Sequence, residues 1–99
     1  MASQAIGLLE TKGLISLVQG VDAMLKAANV ELVGPMKSVG SALVSATIVG
    51  DVAAVKAALD AGAESAASFG EVVSAHVIAR PADEISKVLP TAPAKAAKK

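Results

Sequence analysis

Two periods alternate along this chain. Residues 5–11, Ala-Ile-Gly-Leu-Leu-Glu-Thr, are a short apolar run that ends at Lys12-Gly13, which predicts a strand. Leu14, Val18, Val21, Leu25 and Ala28 then recur at steps of four and three, the spacing of one face of an α-helix. Asp22 and Lys26 are four apart on another face, acid first, the favoured order for a weak ion pair. Asn29 suits the helix end. Val30 to Gly34 reads as a short strand. Pro35 to Ser41 reads as a projecting loop, too long for a tight hairpin, and Ala42 to Val49 as a second strand closed by Gly50.

Asp51 is a good N-cap for the next helix. Val52, Val55, Leu59, Gly62, Ala66 and Phe69 again mark one face, and Gly70 ends it. A glycine inside a helix costs about 1 kcal/mol relative to alanine, so Gly62 on the apolar stripe predicts close packing, here against a strand. Val72 to Ala79 is the last strand. Val73, Ala75, Val77 and Ala79 share one face, and Val72, Ser74, His76 and Ile78 the other. Pro81 stops it. Asp83 to Leu89 predicts one or two short helical turns. The order is β-α-β-β-α-β and then a short helix. This is an α+β fold, a four-stranded antiparallel sheet with two helices on one face. Residues 4–89 form the domain. The low-complexity tail 90–99 has too little apolar surface to offset ordering and is expected to be disordered.

Composition adds a second expectation. Of the 99 residues, 54% are hydrophobic and 1% aromatic, with Phe69 alone in that class. A domain this small buries only about 60% of its unfolded surface by itself. The surplus of small apolar residues therefore points to burial against other subunits. Three of the nine basic residues, Lys95, Lys98 and Lys99, lie in the last five positions, which leaves residues 1–90 with six basic and nine acidic groups. A nucleic-acid binder needs a basic stripe and stacking aromatics, and neither is present. There are no cysteines, which excludes disulfides and thiolate-bound metal. No apolar run reaches the ~18 residues of a membrane span, and no signal peptide is recognisable. The bacterial cytoplasm is the expected location.

The residues offer little chemistry. His76 is the only histidine, and it sits mid-strand without a nucleophile signature, so it is read as a core or interface residue. The acids show no metal-ligand spacing. Asp60 and Glu64, with Lys56 a turn before them, read as a solvated face. The glycines of 34–40 do not form a phosphate loop. No catalytic residue, metal or cofactor is assigned.

Several co-linear strings resemble the hexamer-forming shell proteins of bacterial microcompartments. They are residues 5–13 (AIGLLETKG), 22–30 (DAMLKAANV), 50–58 (GDVAAVKAA), 60–62 (DAG), 70–72 (GEV), 76–78 (HVI) and Arg80-Pro81. The form of residues 10–13 leans towards compartments of the propanediol type. The resemblance implies a structural subunit that forms homo-hexamers, tiles into sheets with other shell proteins around encapsulated enzymes, and passes small polar metabolites through a central pore. It implies that Lys26 lies at the hexamer edge, supported by Asn29 and Arg80. It implies that Lys37, Ser38, Val39, Gly40, Ser41 and Ala42 line the pore. Here that loop carries one extra residue, Pro35-Met36 replaces the usual pair, and alanine replaces the closing glycine. Ser41 is the first choice for the constriction, with Ser38 or Gly40 next. Ala82 also stands where the family often has histidine. The same element order is shared by ferredoxin-like, ring-forming regulatory or ligand-binding subunits, which are the alternative.

Overall fold

The computed structural model describes residues 4–89. In chain order its elements are β1 (Ala5–Lys12), α1 (Leu14–Ala27), β2 (Glu31–Leu32), β3 (Lys37–Gly40), β4 (Leu43–Gly50), α2 (Val52–Ala67), β5 (Glu71–Ile78) and a 3-10 turn, Asp83–Lys87. The sheet is ordered β2-β4-β1-β5, and every pairing is antiparallel. The expected tail, 90–99, lies outside the described residues.

The strand count differs from the expectation. Residues 37–40 are not loop. They form β3, which pairs with β4 through Lys37↔Ser45, Ser38↔Val44 and Gly40↔Leu43. Lys-Ser-Val-Gly carries no alternation that would announce a strand. The exposed edge of β4 supplies the ladder that orders it. Around it, β2 keeps only Glu31–Leu32 of the expected 30–34, and Val33 N–H still donates to the Thr47 carbonyl at 2.8 Å.

Both helices cover one face of the sheet. Leu9, Ala46, Ile48 and Val77 point towards them, and Leu9, Leu17, Met24, Ile48 and Val55 form the centre of the core. In β5 the alternation slips. A bulge opposite Glu10 and Thr11 puts Val72, not Val73, beside Ala75 and Val77 on the helix face, and Val73 is left exposed. His76 is opposite Leu8 on the other face and is exposed, so it is no part of the protomer core.

The helices pack closely on each other. A Cβ on Gly20 would lie 3.1 Å from the Gly62 carbonyl, and one on Gly62 would lie 3.0 Å from the Gly20 carbonyl. Gly62 thus serves a helix–helix crossing, not the helix–strand contact its position suggested. Ser16 Oγ–H donates to the Ala66 carbonyl across the same seam at 2.8 Å, fully buried, and Ser65 Oγ–H donates to the Gln19 carbonyl at 3.4 Å. Asp51 stands at the N-cap of α2 as expected, but its carboxylate makes no capping hydrogen bond. Its charge still suits the positive end of the helix.

Candidate functional site

The stripe that the periodicity of α1 marks is not the face that α1 buries. Ser16, Leu17, Gly20 and Met24 are buried. Leu14, Val18 and Leu25 are 51%, 55% and 44% exposed. At about 100° per residue the two arcs lie roughly a third of a turn apart. The outer arc opens on a groove of about 330 Å³, completed by Val21, Leu32, Met36 and Ala46. A helix apolar on two arcs is made to be covered twice. One arc is finished within the chain, and the other is bare.

The strands and α1 carry the two sets of expected site residues to opposite ends of the molecule. At one end lie Ala5, Gly50 and Ile78, with Arg80 just beyond. The Asn29 carbonyl lies 3.2 Å from a Cβ built on Gly50. Gly50, Asp51, Val52, Arg80 and Asp83 line a cleft of about 890 Å³ there. Lys26 is in the last turn of α1, one turn before Asn29, with Nζ 2.9 Å from Asp22 Oδ2, the pair the spacing foretold. Lys26, Asn29 and Arg80 are all exposed.

At the other end lie Lys12, Leu43 and Glu71, and the β3–β4 hairpin. Seven steps of about 3.4 Å along β1 separate the two ends by about 24 Å. The hairpin closes through Ser41 and Ala42, with φ of 55° and 64°, after Gly40 at 93°. Its tip is tied back to the β1–α1 junction, where Gly13 N–H donates to the Ala42 carbonyl at 2.8 Å. Every residue from Lys37 to Ala42 is exposed, and Val39, at the irregularity between Ser38 and Gly40, is 72% exposed. The Ser38 and Ser41 hydroxyls and the Lys37 ammonium stand exposed at this end, beside the charges of Lys12 and Glu71.

No helix among the described residues is long and apolar enough to cross a membrane, and no group of three or more His, Cys, Asp or Glu residues there is placed to hold a metal.

The family model described as the BMC domain matches residues 5–81. The chain belongs to the bacterial microcompartment domain family. It is 52% identical over 90 residues to the bacterial microcompartment shell protein PduA of Citrobacter freundii, covering 91% of this chain and 96% of that protein. It is 52% identical over 87 residues to the shell protein EutM of Escherichia coli (strain K12), covering 88% and 89%. The carboxysome shell protein CcmK2 of Synechocystis sp. is 46% identical over 90 residues, covering 89% and 86%. In three dimensions the fold superposes on a microcompartment protein of Desulfitobacterium hafniense DCB with a TM-score of 0.74 and 34% identity, covering 84% of this chain. The chain spans 44% of that larger relative.

The sequence marked the outer arc of α1 and missed the buried one, so it did not show that α1 is apolar on two sides. One signal was available. Leu14, Leu17, Val18, Val21, Met24 and Leu25 are all apolar, and together they span more of the helix than a single sheet contact covers.

Proposed function

We propose that this chain is a structural, non-catalytic shell subunit of a bacterial microcompartment, lying in the shell within the bacterial cytoplasm, and that it closes six-membered rings which tile edge to edge. The matched relatives are named as shell proteins, which supports the shell role and does not favour a ring-forming regulatory subunit. The observation that carries the finer reading is polarity. The hairpin 37–42 and the trio Lys26, Asn29 and Arg80 occupy opposite ends of one sheet, with a bare apolar flank between them. A ring built through the flank turns one end to its axis and the other to its rim. Contacts of that head-to-tail kind close into rings when the rotation allows.

At the axis, Lys37, Ser38, Val39, Gly40, Ser41 and Ala42 line a pore for small polar metabolites, with Ser41 the first choice for the constriction. Hydroxyls and backbone amides there lower the barrier to polar solutes, which an apolar constriction would raise. At the rim, the Lys26 stem packs against its twofold mate while the ammonium reaches carbonyl oxygens of the neighbour, with Asn29 and Arg80 beside it. Other shell proteins meet the same rim, and cargo enzymes lie inside.

The test compares wild type with Lys26→Asp. Native mass spectrometry of both proteins should show six chains. Electron microscopy should show sheets or tubes for wild type and discrete rings for the variant. A monomer as the main wild-type species overturns the ring, and normal sheets from the variant overturn the role of Lys26.

A further inference from the structure

Gly40, Ser41 and Ala42 are three successive residues with left-handed backbone, and two of them have side chains. A two-residue hairpin turn of this hand is normally made by Asn-Gly or Asp-Gly, because both central residues need positive φ. Serine and alanine fit it poorly. Alanine in particular has no polar group to bond to its own backbone in compensation, and the left-handed region disfavours it by about tenfold. The turn is held from outside. Gly40↔Leu43 and Ser38↔Val44 pair on one side, and Gly13 N–H clasps the Ala42 carbonyl at 2.8 Å on the other. Little packing supports it, since residues 35–42 are all exposed and nothing lies within 4 Å of a Cβ built on Gly40.

We infer that Ala42 makes the hairpin tip a two-state element, a strained turn latched by Gly13 that relaxes by rotating the 41–42 segment out of the left-handed region. Release breaks the Gly13–Ala42 hydrogen bond and swings the Ser41 hydroxyl. Backbone strain persists only where its surroundings enforce it, and here one hydrogen bond and a short ladder do so. The strain narrows the gap between the latched and released states, so the released state is a populated minority. The latch stands on the geometry of this chain alone. Its consequence, a pore rim that changes shape, rests on the proposed pore.

The test is hydrogen exchange at the Gly13 amide, measured residue by residue on the assembled protein. Ser41→Asn with Ala42→Gly installs the residues the turn prefers and should slow exchange at Gly13 by about tenfold. Ala42→Val places a branched side chain at the same φ and should speed it. Equal rates in all three proteins overturn the latch. Uptake of a small polar solute into intact shells is then compared between wild type and Ala42→Gly alone, which relaxes the turn and leaves the Ser41 hydroxyl in place. A changed uptake supports the coupling of latch and pore. Exchange that responds while uptake stays constant upholds the latch and overturns its coupling to the pore.

Discussion

Helix α1 has two apolar arcs, and only the inner one includes small residues and is covered. The inner arc has Ser16 and Gly20 where it crosses α2, so that backbone approaches backbone. Its larger residues, Leu17 and Met24, fill the core. The outer arc has Leu14, Val18 and Leu25, large side chains with a groove beside them and nothing over them. A finished interface is recognised by small residues and satisfied hydrogen bonds, and an unfinished one by large side chains left in water. The first holds this chain together, and the second is the flank through which the proposed ring would form.

Substitutions on each arc should therefore fail differently. The largest effect is expected for Gly62→Val. Its side chain would collide with the Gly20 carbonyl and with Met24, so the helices must separate. We expect a loss of about 3 kcal/mol, a large share of the roughly 5–15 kcal/mol of an ordinary domain, read by chemical denaturation. A stability within 0.5 kcal/mol of wild type, as estimated from a typical surface change, would show that the crossing adapts.

Val18→Glu addresses the outer arc. The fold should survive, because Val18 is already 55% exposed, and circular dichroism should be unchanged. Rings should give way to smaller species in sedimentation velocity, since a charge buried in an apolar contact is left unpaired. Intact rings would mean that this flank is not the ring contact.

Ser16→Ala sharpens the inner arc. It removes one buried hydrogen bond to the Ala66 carbonyl and should cost about 1 kcal/mol, with ring formation unaffected. The smallest effect is expected from truncation after Leu89, which should leave both stability and ring size unchanged. Loss of soluble rings would show that the tail is structural.

Much of this molecule was legible in the sequence. Apolar runs bounded by glycine or proline, and apolar steps of three and four, placed every major strand and helix to within a few residues. The co-linear strings around Glu10, Lys26 and Asp51 carry the likeness to the shell-protein family by themselves. Tertiary structure alone decided three things. It decided which arc of α1 is buried, since periodicity reports that a face is apolar but not what covers it. It decided that Gly62 meets a helix, since a glycine reports close approach without naming the neighbour. And it decided that residues 37–40 pair and that Ser41-Ala42 turns left-handed, since neither segment prefers its conformation locally. There the edge of β4 and the carbonyl clasp of Gly13 override what the residues would do alone.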